Sequence, residues 1–198
     1  MPTPRSPSGN GTTRMPAPGM HVAEGTSATA VDAVELLESD HRHVEAWFAE
    51  FETATTTARR QDLAERICHA LRVHMQIEEE IFYPAFLDAV GDRPLHDDAE
   101  AAHAQARDVI ADIETSDAGD DANFGILMQT LARMIERHVT DEEQPGGMFD
   151  EARQSDLDLY DLGARLEHRK VELMDDATTD AGYDAAVRGA SGLEEPSA

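Results

Sequence analysis

The stretch HMQIEEE, residues 74–80, places a histidine and a glutamate four residues apart in a segment that otherwise has the pattern of an apolar helix face. Ile67 and Leu71 precede it at helical steps of four and three. His74 and Glu78 continue these steps, so both are predicted to lie on the side that faces the core. Titratable side chains are costly at core positions unless they have partners. The pair therefore indicates a buried polar site to which other helices contribute.

Four amphipathic helices of similar length are predicted, each from apolar residues that recur at steps of three and four. They begin near Val31, Arg60 and Asp97 and after the turn at 116–121, and the second is expected to kink at Pro84. Their apolar positions are, in chain order, Val34, Leu37, Val44, Phe48, Phe51, Ile67, Leu71, Ile81, Ala85, Ala99, Ala106, Ile110, Ile113, Phe124, Leu127, Leu131 and Met134 or Ile135.

A fifth, short helix is predicted from about Ser155 to about Met174. Helices of similar length with short turns favour an all-α fold, an antiparallel up-down-up-down four-helix bundle. The bundle and its short C-terminal fifth helix are expected over residues 31–175. Residues 1–30 are rich in Pro, Ser, Gly and Thr and are expected to form a disordered leader, and residues 176–198 a disordered tail.

Each of the four bundle helices has a histidine on its apolar stripe, and two also have a glutamate four residues later. In an antiparallel bundle these faces converge. A buried carboxylate costs several kcal/mol without compensation, and a neutral imidazole needs partners for both nitrogens. The six side chains are His41, His74, Glu78, His103, His138 and Glu142.

Bound metal ions meet both needs, because carboxylates neutralise the cation and imidazoles donate to it. Nitrogen and oxygen donors without sulfur favour iron, with manganese possible, over structural zinc. Two octahedral ions have roughly twelve ligand positions. Four terminal histidines, two bridging glutamates and an oxo or hydroxo bridge fill about ten, which leaves about two for oxygen, peroxide, nitric oxide or water.

Each of these features has an ordinary structural explanation when taken alone. A single histidine on an apolar face is usually a hydrogen-bonded core residue, and one His-x-x-x-Glu pair is common on helix surfaces. Two such pairs with two further stripe histidines favour a metal site. A metal-free interaction bundle with pH-responsive histidines is the remaining alternative.

In these segments the chain resembles the hemerythrin family, in its bacterial HHE cation-binding branch. The resemblance covers about residues 31–175. It implies a four-helix bundle with a non-haem di-iron centre, in which the four histidines bind iron terminally and Glu78 and Glu142 bridge. The matching segments are LLESDHRHVEAWFAEFE (36–52), HMQIEEEIFYPAF (74–86), AAHAQARDVIADIE (101–114) and LARMIERHVTDEE (131–143).

The sequence departs from the family pattern in three places. Oxygen-carrying hemerythrins have a second histidine four residues after the one on the third helix, where this chain has Arg107. Relatives usually have glutamate directly before the third-helix histidine, where this chain has Ala102. The segment QPGG, 144–147, adds residues where relatives continue into Met-Phe-Pro, and it is expected to loosen the helix end after Glu142 and widen solvent access.

Composition excludes several other functions. A net charge of −25 argues against binding to a nucleic-acid backbone or an anionic membrane surface. The single cysteine, Cys68, excludes an internal disulfide and a thiolate zinc cluster. The sequence has no apolar segment of ~18 residues that could span a bilayer and no signal-peptide pattern, so a cytoplasmic location is expected.

We therefore expect a non-haem di-iron, hemerythrin-like protein that binds oxygen or a related diatomic or peroxide ligand, in sensing, storage or handling. The alternative is a di-iron enzyme acting on peroxide, nitric oxide or ferrous iron, since the missing fifth histidine leaves an open position. No catalytic acid or base is assigned, and the protein partner stays unknown.

Other residues near the pattern are expected to have structural roles. Glu79 is assigned to a solvated face and His96 to a helix start, with ligation as a second possibility. Tyr83 is assigned with its aromatic neighbours to the apolar core. Glu45 is a candidate acceptor for the outer nitrogen of His41.

Overall fold

The computed structural model describes the backbone of residues 31–116 and 121–190 and the side chains of 31–116 and 122–174, and within these ranges it is helical without strands. The predicted leader, 1–30, lies outside the described residues, as does 191–198. None of the described helices has the length and apolar character needed to cross a membrane. The helices are α1 (Ala33–Thr53), α2 (Thr57–Ile77), a π-helical turn (Glu78–Phe82), α3 (Tyr83–Ala89), α4 (Arg93–Thr115), α5 (Asp121–Glu143), α6 (Met148–Gln154) and α7 (Leu159–Ala190).

The core consists of two apolar clusters of buried residues, which we name after one member of each. The Leu131 cluster comprises Val44, Phe51, Leu63, Ala64, Ile67, Cys68, Leu71, Met75, Ala106, Ile110, Ile113, Phe124, Met128, Leu131, Ile135 and Val139. The Phe149 cluster comprises Ala33, Val34, Leu36, Leu37, Ile77, Phe82, Tyr83, Phe86, Ala99, Met148, Phe149, Ala152, Leu162 and Leu166.

Successive long helices pass these clusters in alternating order. In α1, Leu37 belongs to the Phe149 cluster and Val44 to the Leu131 cluster, while α2 passes them in the reverse order. α4 repeats the order of α1, and α5 leads from the Leu131 cluster toward α6 in the Phe149 cluster. Contacts join α1 with α2, α2 with α4, α4 with α5, and α5 with α1. This ring supports the predicted up-down-up-down order.

The second predicted helix is interrupted by the π-helical turn rather than by a kink at Pro84. Proline lacks an N–H and its ring crowds the carbonyl four residues earlier, so regular α-helical hydrogen bonds cannot pass through it. The helix widens over the turn before Pro84, and the N–H of Tyr83 donates to the carbonyl of Glu78, five residues back.

The wider turn advances the buried face of the helix by one position. Phe82 and Phe86 are fully buried, whereas Ile81 and Ala85, which were predicted on the stripe, are only half-buried. The same shift buries Tyr83. A period of 3.6 residues cannot anticipate this change, because it assumes a regular helix throughout.

α4 begins at Arg93, four residues before the predicted start. Gly91 has a φ of 75°, and the side chain of Asp92 accepts a hydrogen bond from the N–H of Leu95 at 3.2 Å as the N-cap. Pro94 lies in the first turn of α4, where a missing N–H costs nothing, so it is tolerated at the start of the helix.

The QPGG segment forms a tight turn that leads into α6, a short helix absent from the prediction. Gly146 has a φ of 78°. A Cβ on Gly147 would lie 2.5 Å from the carbonyl oxygen of Asp141, so the turn closes on the end of α5 only with glycine there. Glu142 is 2% exposed, and the expected loosening and wider solvent access are wrong.

α7 is much longer than the predicted fifth helix, because the backbone of 176–190 continues it where a disordered tail was expected. It packs against α1 and α2. At Gly163 a Cβ would lie 2.1 Å from the carbonyl oxygen of Val31. The absence of a side chain at this position therefore allows the close approach of α7 to the start of α1.

Candidate metal centre

The structure brings the six predicted side chains together between the two apolar clusters. Within the described residues they are the buried histidines and carboxylates, and their exposed fractions run from 0% for Glu78 to 6% for His138. α1, α2, the π-helical turn, α4 and α5 contribute His41, His74, Glu78, His103, His138 and Glu142.

The four imidazoles form two pairs through their Nε2 atoms. His41 and His74, the first pair, are 3.0 Å apart, and His103 and His138, the second pair, are 3.1 Å apart. Two ligand atoms that lie about 2.1 Å from one ion at a right angle are about 3.0 Å apart. Each pair thus has the spacing of two nitrogens on a single ion.

The two glutamates each contact one imidazole of both pairs. Glu78 Oε2 lies 3.2 Å from Nε2 of His74 and 3.3 Å from Nε2 of His103. Glu142 Oε2 lies 3.6 Å from Nε2 of His41 and 3.4 Å from Nε2 of His138. Glu78 accordingly belongs to two groups of converging donor atoms, one with each pair. Carboxylates at these positions could each reach two ions, one at each pair.

We call the region that these six side chains form between the two apolar clusters the layer. Several donor atoms in the layer have no hydrogen-bond partner although they are buried. They include both carboxylate oxygens of Glu78 and Oε2 of Glu142. An unsatisfied buried polar group costs about 1–3 kcal/mol, and more when charged. Cations held between the pairs would satisfy these oxygens, so the residues present fit a two-metal site with nitrogen and oxygen donors.

Without a cation, the two glutamates of the layer cannot both be ionised. Burial and the charge of Glu78 raise the pKa of Glu142 well above its ordinary value. Burial acts against ionisation of Glu78 as well, but neighbouring His74 and His103 hold its pKa well below the ordinary value. Burial lowers the pKa of His74, yet Glu78 and Asp40 outweigh it and raise that pKa to about 10. Metal binding would release the protons that His74 and Glu142 otherwise carry.

The outer nitrogens of two histidines are held by carboxylates from a neighbouring helix. Nδ1 of His41 lies 2.8 Å from Oε1 of Glu143, which also binds Arg42. Nδ1 of His103 lies 2.9 Å from Oε1 of Glu79, which also binds Arg107. We call each set of histidine, carboxylate and cation a supporting chain.

A third, looser supporting chain reaches His74. Oδ2 of Asp40 lies 3.6 Å from Nδ1 of His74, an ion-pair distance rather than a hydrogen bond, and Asp40 binds Lys170 of α7. Carboxylates on outer nitrogens fix the orientation of ligating imidazoles and make them better donors.

His138 has no supporting chain. Within the described residues, its Nδ1 has neither a hydrogen bond nor a carboxylate partner, and its contacts run through Nε2. Burial and the nearby imidazoles lower the pKa of His138 to about 3, so its ring is neutral.

Tyr83 is part of the layer although it was assigned to the apolar core. Its hydroxyl lies 3.1 Å from Nε2 of His103 and donates to Oε1 of Glu142 at 3.2 Å. Burial and the charges of Glu78 and Glu142 raise the pKa of Tyr83 well above its ordinary value. The signal that could have revealed it was Pro84, which widens the preceding turn.

Other assignments from the sequence also change. Glu79 is not confined to the solvated face, since it supports His103. Glu45 is not the acceptor for the outer nitrogen of His41; it pairs with Arg42.

His96 stays outside the layer. Its Nδ1 lies 2.9 Å from Oδ1 of Asp97, and its Nε2 lies 3.5 Å from Oε1 of Glu100. Its ring meets the ring of Tyr83 edge-on.

Comparison with known proteins places this site in a family. The model of the hemerythrin HHE cation binding domain matches residues 32–145, more than half of the chain. A crystal structure of a hemerythrin HHE cation binding domain-containing protein from Mycobacterium kansasii is similar in fold, with a TM-score of 0.60 and 19% identity over 75% of this chain and 91% of that chain. Among curated proteins, none is significantly similar in sequence. The chain therefore belongs to the hemerythrin HHE cation-binding domain family.

Proposed function

We propose that this chain is a non-haem di-iron protein that binds oxygen or a related small ligand at the layer formed by its two histidine pairs. The observation that carries the proposal is the placement of Glu78 and Glu142, each against one imidazole of both pairs. Two bridging carboxylates and two nitrogens per ion leave ligand positions free for an external molecule.

The donor chemistry supports iron. The layer offers imidazole nitrogens and carboxylate oxygens, and Cys68, the only thiol of the sequence, belongs to the Leu131 cluster. Such mixed donors suit iron, with manganese as the second metal to test. Within the described residues, two groups of buried donors share Glu78, which fits a pair of ions better than a single one.

Tyr83 adds an oxygen donor beside the second pair. Its distances to Nε2 of His103 and Oε1 of Glu142 match the spacing of atoms bound to one ion. Arg107, at the position of the missing fifth histidine, instead binds Glu79. We propose that the Tyr83 oxygen takes the ligand position that this histidine would otherwise fill.

Metal analysis and absorption spectroscopy test the di-iron proposal. Protein expressed with ample iron should contain about two irons per chain and absorb in the near ultraviolet. Tyr83→Phe should keep the iron but lose any visible absorption that arises from a phenolate on ferric iron. Protein without bound iron, or with one ion in both the parent and Glu78→Gln, would contradict the proposal.

An enzymatic role on peroxide, nitric oxide or ferrous iron is the second candidate. It is favoured by a cavity that reaches the second pair, since turnover requires exchange of substrate and product. Steady-state peroxide consumption decides between the two roles. A rate no greater than that of the same concentration of free iron would leave ligand binding as the function.

The metal-free interaction bundle predicts a different behaviour. If no metal binds, replacing Glu78 by leucine removes a buried carboxylate whose oxygens have no hydrogen-bond partner, and this hypothesis predicts that the change stabilises the fold. We expect the opposite for iron-loaded protein, because Glu78→Leu removes a ligand of both ions. Thermal unfolding of both proteins, each with and without iron, separates these outcomes.

A further inference from the structure

A cavity of about 230 Å³ lies between α4 and α5 and reaches the second pair. His103 and His138 both contribute to its lining. The rest of the wall near them is formed by small or apolar side chains, and the charged residues are exposed and lie toward solvent. Among these residues are Ala102, Ala106 and Met134, with the charged Asp98, Arg137 and Asp141.

Two other cavities within the described residues do not reach the predicted ligands. A larger one of about 590 Å³ lies near Cys68 and Phe124 in the Leu131 cluster and is lined by none of the six. One of about 250 Å³ beside α7 is lined by Asp40 and Lys170, which form an ion pair, and by none of the six. The second pair is therefore more accessible than the first.

The three supporting chains follow a rule that identifies the position of a missing fourth. Each supporting carboxylate is the sequence neighbour of a residue in the layer and holds a histidine of the next helix in the ring. Asp40, before His41 in α1, faces His74; Glu79 faces His103; Glu143 faces His41.

By this rule the carboxylate that holds His138 would come from α4, directly before His103, as Asp40 comes directly before His41. That position is Ala102, which lines the cavity. One methyl group thus stands where a carboxylate would both support His138 and fill part of the cavity.

We propose that Ala102 opens an access route for small neutral ligands to the ion that the second pair would bind, which we call the second ion. The route lies at the side of the unsupported His138. This inference rests on the proposed function, since it assumes that the layer holds metal. Asp98 and Asp141 at the mouth, against Arg137, and the net charge of −25 disfavour anions there. The ligand class is therefore a neutral diatomic molecule or hydrogen peroxide rather than an anion such as azide.

Stopped-flow binding of nitric oxide to the iron-loaded, reduced protein tests the route. Ala102→Leu should slow association by about tenfold, because the ligand must then wait for a rearrangement of the wall. Its iron content should equal that of the parent. Ala104→Leu, on the exposed face of the same helix, should leave the rate unchanged.

Ala102→Glu provides a second measurement. The added carboxylate should slow association as leucine does, and it should also raise the affinity of the second ion by about 10–100-fold by holding His138. Ala104→Glu carries the same charge without reaching the cavity and should do neither. Circular dichroism and iron content establish that each variant is folded and loaded.

The outcomes separate the two proposals. Iron-loaded Ala102→Leu and Ala102→Glu proteins that bind nitric oxide as fast as the parent would overturn the access route and leave the di-iron proposal intact. A parent chain that binds no iron would overturn the proposed function. If leucine at 102 prevents folding, Met134→Phe, which narrows the same cavity from α5, should give the slower association instead.

Discussion

The two histidine pairs share contacts with Glu78 and Glu142 but differ in what surrounds them. Both outer nitrogens of the first pair face carboxylates, Glu143 and Asp40, and the ring of Phe149 is stacked on His41. In the second pair only His103 is supported, and the Tyr83 hydroxyl and the cavity lie beside it.

This difference suggests a division of work within one site. Supported imidazoles bind metal more tightly and move less, because their orientation and tautomer are fixed. We call each pair with its surroundings a half of the site. A half whose two imidazoles both have a carboxylate at the outer nitrogen, and which is covered by an aromatic ring, is suited to retaining its ion. A half with one free imidazole, a hydroxyl donor and a cavity is suited to exchanging external ligands.

The largest loss of iron is expected from a change at Glu78, which contacts both pairs. Glu78→Gln removes the carboxylate that contacts both pairs, so we expect most of the iron to be lost from both halves. Glu80→Gln, two residues away on the exposed surface, should keep the iron of the parent. Metal analysis after dialysis gives the answer, and a Glu78→Gln protein that retains two ions would show that the halves are independent.

The dependence of the first half on α7 is tested by Gly163→Ala. The added Cβ would meet the backbone of Val31, which cannot move aside as a flexible side chain can. We expect the free energy of unfolding to fall by about 1–3 kcal/mol. At Gly125 the nearest atom to a Cβ is the side-chain end of Arg60, so Gly125→Ala should be close to neutral.

Chelator competition on Gly163→Ala sharpens the comparison of the two halves. Displacing α7 should weaken mainly the ion of the first pair, because Lys170 is the residue of α7 that reaches a supporting chain among the side chains described up to residue 174. Equal weakening of both ions would indicate that α7 acts on the whole bundle rather than through Lys170.

The supporting carboxylates are compared by Glu143→Gln and Glu79→Gln. Each should lower the affinity of one ion by about 10–100-fold, the first variant in the first pair and the second variant in the second pair. Glu45→Gln, on the surface, serves as control because Glu45 pairs with Arg42 and, within the described residues, with no histidine. Two-step chelator titrations resolve the ions, and loss of the same ion in both variants would break the assignment of one chain to each half.

The six residues of the layer could be found from the sequence because they depend on a single regularity. Residues three and four apart share a helix face, and histidine or glutamate on an otherwise apolar face stands out. His41 and His103 are recognisable for this reason alone. Asp32 is the N-cap of α1, where its side chain accepts a hydrogen bond from the N–H of Glu35 at 3.0 Å, and an aspartate just before an apolar helical stripe is a signal that the sequence shows.

The surroundings of the layer could not be found in this way. Asp40, Glu79 and Glu143 are neighbours in sequence of layer residues and so point about 100° away from them on the helix. Whether such a side chain meets solvent or the histidine of another helix depends on how the helices pack. Tyr83 was missed for a different reason, since the π-helical turn shifts the helix face after Glu78.

The smallest effects are expected from the cations at the ends of the supporting chains. Arg107 is 40% exposed, and its partner Glu79 keeps its hydrogen bond to His103 without it. Exposed ion pairs contribute about 0–1 kcal/mol, so Arg107→Gln should change the affinity of the second ion by less than about threefold.

Lys170→Gln should have a larger effect than Arg107→Gln, because Asp40 is only 12% exposed and loses its counter-ion. Asp40 also contacts His74 at an ion-pair distance without a hydrogen bond, so little else fixes its position. We expect the affinity of the first ion to fall by about three- to tenfold. Chelator titrations of both variants at low and high salt make the comparison. A larger loss of ion affinity for Arg107→Gln than for Lys170→Gln would mean that the second pair depends more on its supporting chain than the first pair does. The assignment of a retaining and an exchanging half would then have to be reversed.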